Sequence, residues 1–462
     1  MQHKDLSSIE DEFERALGEI RTRVSVSSGA LAIAYSGGLD SAALLHLAHR
    51  YAQTQGLTLF AFHVHHGLSP HADQWLAHCR AVCEQRGIAF EARHVEVALD
   101  GKSGIEEAAR LRRYAALGEM CRAHGVPLLL TAHHLDDQAE TVLLQLLRGS
   151  GVAGLSGMDR CNHAPDLLGD AQLLMGRPLL HVARAALDAY VCTQAIAHVE
   201  DESNSDPRYA RNALRHQVMP VLHQLFPGYQ QRFARTAQHA QSAQRLLVEL
   251  AMRDLDECLD GDSLDVKKLR RLDADRIDNM LRYWFGSRGM RMPSTAWLAE
   301  MRTQLLEAKY DAQLCVTHAD CHIRRHRDHV FITPKRDAAM QPPAPQDFTW
   351  RGETSLHWPQ FGGTLYFDAS EQGMDADRLR QQVLTIRLRS GGERLKPAAN
   401  RPTRSLKQHY QNRDVPAWER ERLPLVFAEK QLLFAAGIGM DSHCLSNGTG
   451  SRIALRWEFD GS

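Results

Sequence analysis

Four runs that read as buried strands, LAIAY (31–35), LTLFAFHV (57–64), FEARHVEV (90–97) and VPLLLTA (126–132), alternate with segments at 40–53, 72–86 and 105–124 whose apolar residues recur at helical spacing. Strands separated by helices form βαβ units, so this half of the chain is expected to be α/β, a parallel sheet with helices on both faces. Ligands on such sheets bind beyond the carboxyl ends of the strands. SGGLDS (36–41), HVHHGLS (63–69) and TAHHLDD (131–137) all fall there.

At 462 residues the chain needs more than one domain. Around Pro227-Gly228 the alternation gives way to helical spacing over 229–259, 265–285 and 294–308, followed by strand-like residues between 317 and 333. QPPAPQ (341–346) reads as a proline-rich linker. Beyond it, LTIRLR, LPLVFA, QLLFAAGIG and RIALRWEF suggest a small α+β domain. The expected division is a catalytic domain over 1–226, a mainly helical domain over 227–340 and a C-terminal α+β domain over 341–462.

An apolar share of 44% and a charged share of 24% suit a globular chain. No apolar run reaches eighteen residues and the N-terminal stretch is acidic, so no membrane association and a cytoplasmic location are expected. Nine scattered cysteines without a Cys-x-x-Cys pair fit reduced thiols, and Cys79 and Cys83 lack zinc-ligand spacing. The net charge of −1 is neutral about nucleic acid, but residues 384–426 carry ten basic against four acidic residues. That stretch, with Arg389 and Arg394, is a candidate phosphate-binding surface or simply a solvated basic face.

The segment Ser36-Gly37-Gly38-Leu39-Asp40-Ser41 joins a strand to a helix. Its glycines allow positive φ and close approach of oxygens, the helix offers unpaired N–H groups, and the serines add hydroxyls. Asp40 would repel a bare phosphate, which implies Mg²⁺ between the two. The pattern is not a Walker loop, a dinucleotide fingerprint or a nucleophile elbow. Further along, His133 and His134 end a strand, while Asp136, Asp137 and Glu140 open a helix with Glu140 able to share a face with either aspartate. N-capping needs one acid, and three beside two histidines suggest a cation or amine site. A lysine ammonium, with a pKa of about 10.4, would need such carboxylates and would have to lose a proton before attacking.

SGGLDS resembles the loop of the pyrophosphate-loop ATPases, which implies ATP cleaved between the α- and β-phosphates. TAHHLDDQAETVLLQLLRGSG, GIEEAARLRRY (104–114), HVHHGLSPHADQW (63–75) and VEDESNSDPRYARNALRHQVMP (199–220) together resemble the tRNA(Ile)-lysidine synthase family, as do RSGGERLKP and RSLKQHYQNRDVPAWERERLPLVF near the C-terminus. Some members carry Asn and Arg where this chain has His65 and Ser69. The resemblance implies an enzyme using ATP and free lysine to modify the first anticodon cytidine of isoleucine tRNA with a CAU anticodon, and it implies a homodimer. Onto matching positions it carries Asp40 for Mg²⁺–pyrophosphate and Arg113 for charge stabilisation. It also carries His133, Asp137 and Glu140 for nucleotide and lysine, and Asn204, Arg211, Asn212 and Arg215 for substrate or tRNA. The alternative for Arg113, Arg211 and Arg215 is an exposed helix face. Tyr410 and Trp418, within the basic stretch, offer stacking surfaces for bases or core packing. A thiolating relative would be expected to bring Cys-x-x-Cys pairs, and an amide synthetase a glutaminase or ammonia channel.

Overall fold

The computed structural model describes residues 2–24, 29–67, 69–96, 105–200, 210–309, 314–335, 343–446 and 450–460. The chain forms two compact units, Met1–Glu249 and Leu250–Ser462.

The first unit opens with α1 (Gln2–Arg21), followed by β1 (Ala30–Ala34), α2 (Leu39–Gln55), β2 (Thr58–His65), α3 (Ala72–Arg86) and β3 (Ala89–His94). It continues through α4 (Ile105–Ala123), β4 (Leu128–Leu130), α5 (Leu135–Leu147), α6 (Val152–Leu155), β5 (Cys161–His163), α7 (Pro165–Leu168), β6 (Leu174–Gly176) and α8 (Arg184–Thr193). The sheet runs β3-β2-β1-β4-β6-β5, parallel except for β5 at one edge. Ile33 sits opposite Ala61 on one side and Leu130 on the other. Strand order therefore reverses at β1, and the crevice between β1 and β4 is the switch point where ligands bind in such sheets.

Side-chain alternation explains the two covering layers. Leu31, Ile33, Leu128 and Leu130 pack with Phe13 and Leu17 of α1, Leu44 of α2 and Leu187 of α8. Ala32, Leu129 and Met175 face the other way, onto Tyr114, Leu117 and Met120 of α4 and Leu168 of α7. The α/β expectation is met strand by strand, with boundaries shifted by a few residues.

After α8 come α9 (Ala210–Ala213), a π-helical turn (Leu214–Val218), α10 (Met219–Leu225) and the long α11 (Tyr229–Cys258), within which the two units divide. Pro220 accounts for the π turn. It has no N–H to give and its ring crowds the carbonyl one turn back, so the helix widens and Met219 N–H donates to Leu214 O.

The second unit holds two cores. One is built from α12 (Val266–Leu269), α13 (Ala274–Ser287) and α14 (Thr295–Glu307). These pack on a five-stranded sheet of β7 (Leu259–Asp260), β8 (Ser263–Asp265), β9 (Cys315–Thr317), β10 (Cys321–His326) and β11 (His329–Pro334), so the expected mainly helical segment carries a sheet of its own. The other core lies among the C-terminal strands, chiefly Leu384–Arg387, Leu425–Ala428, Gln431–Ala435 and a ribbon of Gly363–Asp375 against Arg452–Phe459.

Gly118 on α4 is a point of backbone contact. A Cβ there would stand 1.9 Å from Leu168 O and 2.8 Å from its carbonyl carbon. Alanine in a helix is otherwise worth about 1 kcal/mol over glycine. A backbone obstacle outweighs that gain, because α7 must move as a body. Gly118→Ala is expected to lose about 1–3 kcal/mol in urea unfolding; a gain in stability would show that α7 yields freely.

Candidate active site

The phosphate loop leaves β1 at Tyr35, whose N–H donates to Phe62 O at 2.8 Å. Of the two loop glycines, Gly37 takes a positive φ (+87°), whereas Gly38 is extended (φ −70°, ψ 162°) and caps α2. The expectation of left-handed freedom holds for Gly37 alone. Its missing side chain also has a steric cause, since a Cβ would lie 2.8 Å from Cys79 Sγ and 3.1 Å from Val199 Cγ2. Val199 N–H donates to Gly37 O at 2.9 Å and Gly38 bridges Val199 in parallel, so a second chain segment clamps the loop. Ser41 Oγ donates to Gly38 O at 2.9 Å and lies 3.1 Å from Ser36 Oγ. Among the described residues no side chain caps α2, which leaves its first N–H groups available at the loop. Leu39 packs against the core beneath.

Asp40 stands on the first turn of α2, and its buried Oδ1 has no hydrogen-bond partner among the described residues. Two side-chain nitrogens approach it. His134 Nε2 lies 3.7 Å from Oδ2 and Arg184 Nε 4.0 Å from Oδ1. A buried carboxylate oxygen beside the phosphate loop is a donor of the kind that would suit Mg²⁺.

β4 delivers the second group. Thr131 N–H donates to Gly176 O at 2.9 Å, and Thr131 Oγ1 lies 2.9 Å from His133 Nδ1, fixing that ring. Burial drives the His133 pKa down to about 3, and Arg177, Arg211 and Arg110 push the same way against Asp137. His133 is therefore neutral at physiological pH. His134 is buried and forms a reciprocal cap with Asp137, its Nδ1 receiving Asp137 N–H at 3.4 Å while Asp137 Oδ2 receives His134 N–H at 3.1 Å. Burial pulls its pKa down, but Asp40, Asp137 and Asp136 outweigh that and raise it. His134 thus connects the phosphate loop to the acidic helix start.

Arg211 and Arg215 do not lie on an exposed face. Glu140 receives Arg211 Nε at 2.8 Å and Arg215 Nε at 2.6 Å, and Asp137 Oδ1 receives one nitrogen from each, at 3.2 and 2.9 Å. Burial raises the Asp137 pKa, yet His134, Arg211, His133 and Arg215 together bring it to about 2. Asp136 differs from its neighbours. It takes Arg184 N–H at 2.8 Å and the Gln230 amide at 3.2 Å, and among the described residues no guanidinium pairs with it.

The other expected residues are placed less centrally. Arg113 is exposed on α4 with its guanidinium over the Tyr114 ring, and among the described residues no hydrogen bond joins it to the acidic cluster. Asn204 lies outside the described residues. Asn212 is half-buried on α9 between the two arginines. His65 lies against His94, the rings tilted and their centroids 4.3 Å apart, and reaches Asp73 at 3.1 Å, whereas Ser69 Oγ receives His71 N–H. His134 was expected only as part of the histidine–acid cluster, with no role of its own, and Arg184 was not among the expected site residues. The position of His134 directly before an acidic helix start was a usable signal; Arg184 carried none.

In the second unit the basic stretch is only partly a surface. Arg394 is exposed and donates to Thr403 O, and Arg401, Arg404 and Lys407 are exposed too. Arg420 is buried and donates to Val415 O, Arg387 lies over Phe427, and Arg389 is half-buried near Tyr410 and Arg420. Tyr410 is a core residue whose hydroxyl donates to Ala436 O. Trp418 is half-buried against Phe331 and Arg324 of the preceding sheet, rather than in the C-terminal core.

Comparison with known proteins agrees with this layout. Residues 7–222 match the family model of a PP-loop domain, 264–331 that of a TilS substrate binding domain and 384–457 that of a TilS substrate C-terminal domain. The tRNA(Ile)-lysidine synthase of Ralstonia nicotianae is 42% identical over 440 residues, 92% of each chain. That of Burkholderia pseudomallei is 41% identical over 464 residues (93% of each), and that of Coxiella burnetii 35% over 435 (94% of this chain, 93% of the relative). Since the likeness spans nearly the whole chain and includes the phosphate loop and the acidic helix, the chain belongs to the tRNA(Ile)-lysidine synthase family.

Proposed function

We propose that this protein ligates free lysine to C2 of the cytidine at the first anticodon position of isoleucine tRNA, consuming ATP and releasing AMP and pyrophosphate. The observation that carries the reading is the meeting of an open phosphate loop and an acidic, histidine-bearing helix start at neighbouring strand ends, joined through His134. Cytidine O2 attacks the α-phosphate, pyrophosphate leaves, the lysine ε-amino group attacks C2, and AMP leaves.

Ser36 to Ser41 and the N-terminus of α2 bind the phosphates, and Asp40 would hold Mg²⁺, which would supply neutralisation of the phosphate charge. Arg184, already beside Asp40, meets the departing pyrophosphate. The Asp137–Glu140 pair is engaged by Arg211 and Arg215, so those four groups shape the site and fix the RNALR segment within it. Asp136 is the acid open to the lysine ammonium. His133, neutral and with a pKa of about 3, is poorly matched to strip a proton from an ammonium; its role is to hydrogen-bond the cytidine. Arg113, Asn204 and Asn212 are assigned to substrate and tRNA by family resemblance, and Arg389 and Arg394 to tRNA phosphates. A homodimer rests on the same resemblance.

With purified protein, ATP, radiolabelled lysine and isoleucine tRNA bearing CAU, label is expected to enter the tRNA with equimolar AMP and pyrophosphate. Transfer of sulfur or ammonia instead would sink the reading. Asp40→Ala should lower pyrophosphate release by about 10²–10³-fold, the scale of losing one charge-stabilising group; full activity would remove the metal role. Arg184→Ala is expected to raise the Kd for ATP about tenfold, roughly 1.4 kcal/mol, with tRNA affinity unchanged. Equal ATP binding by calorimetry in both proteins would dismiss Arg184.

Asp137 also links stability to pH. Its folded pKa of about 2 lies below the ordinary 3.8, so the stabilisation is complete above pH ~4 and fades as pH falls towards 2. Asp137→Asn is expected to be about 2 kcal/mol less stable at pH 7 and to lose less stability between pH 4 and 2. Parallel stability curves for the two proteins would contradict this.

A further inference from the structure

A cavity of about 340 Å³ lies in the first unit among the end of α1, the segment 156–161 and the middle of α11. It is at the β5 edge of the sheet, three strands from β1, or about 14 Å at the usual strand spacing. It is not the phosphate-loop site. Ile20 and Cys161, both buried, give it an apolar floor, and Arg23, Arg245, Gln244 and Asp159 stand around it. A further lining pair, Arg160 and Glu19, is joined in an ion pair. Among the described residues neither Arg23 nor Arg245 has an ion-pair partner, so two unpaired guanidiniums face one carboxylate.

We propose that this cavity receives one unpaired nucleotide of the tRNA, its base over the Ile20–Cys161 floor and its phosphates at Arg23 and Arg245. The proposal rests on the tRNA-modifying function above. The volume falls in the ordinary range for small-molecule sites. A groove tracking backbone phosphate alone has no use for an apolar floor, and a zwitterionic amino acid would favour balanced charge. A flat apolar base with polar edges and an attached anion matches all three features. Gln244 and Asp159 offer amide and carboxylate groups to base edges, and loop nucleotides are the ones whose bases are free to leave a stack.

The cavity wall is also tied to the reaction site. Gln241, which lines it, donates to Ser156 O at 2.9 Å and Met158 O at 3.2 Å. From the other side Gln138 of α5 brackets Met158, donating to its O at 2.9 Å and accepting from its N at 2.8 Å. A nucleotide seated here rests on a segment held directly by the helix that bears Asp136, Asp137 and Glu140.

The test uses the full chain and isoleucine tRNA transcripts. Reversing both guanidiniums (Arg23→Glu with Arg245→Glu) is expected to weaken tRNA binding at least tenfold at 0.1 M salt. The log–log salt slope should become shallower by about 1.4, on the order of 0.7 per lost single-strand phosphate contact. The charge-neutral Gln244→Ala should weaken binding several-fold with its slope unchanged, which separates a nucleotide pocket from a general basic face. Calorimetric ATP affinity and melting temperature should stay at wild-type values in all variants. Wild-type tRNA affinity in both variants overturns the proposal. So does loss of lysine binding with tRNA binding intact, which would mark an amino-acid pocket. A wild-type chain that binds no tRNA removes the functional reading as well; variants that match a tRNA-binding wild type remove this inference alone.

Discussion

Two carboxylates withdrawn from water, Asp137 and Glu140, are each gripped by the same two guanidiniums. Breaking one side of such a pairing strands a buried charge, at a cost of about 3–5 kcal/mol. The pairing joins the start of α5 to a segment more than seventy residues later, and it draws both arginines inward. It thereby determines which acids remain for other work. Asp136, one position away and facing Gln230 and Arg184, is left without a guanidinium among the described residues.

His134 extends this network to the phosphate loop. It stands within 4 Å of carboxylates from three aspartates, one of them on α2. A histidine in that position makes the loop and the acidic helix one electrostatic unit. Charge arriving at Asp40 is felt at Asp137 through a single ring. His133, its neighbour in sequence, is held by Thr131 and kept neutral by burial, so the pKa values of adjacent histidines are shifted in opposite directions.

Much of the first unit was legible because alternation is a strong local signal. The strands at 31–35 and 57–64 and the helix Ala72–Arg86 were found nearly to the residue. β5 and β6 were not, since three residues cannot display a period. Within the site, the loop, the acids and both histidines were visible in sequence, but the division of labour was not. Arg211 and Arg215 have the same spacing whether they face solvent or a carboxylate, and only packing decides. Arg184 sits in an ordinary amphipathic helix, and the sheet order alone brings it to Asp40. In the basic stretch, Arg420 turned inward for a reason no charge count reveals: its guanidinium satisfies a backbone carbonyl.

β1 and β4 are nearly a hundred residues apart in sequence yet hydrogen-bonded neighbours, with Ile33 opposite Leu130. The phosphate loop hangs from one and the acidic helix from the other. Their separation is therefore set by the strand spacing of about 4.8 Å, the stiffest ruler a protein possesses. Insertions in the intervening connections can lengthen the chain without stretching that ruler. The gap between an activated phosphate and an incoming amine is in this sense a property of backbone pairing, held constant while the surrounding surface is free to change.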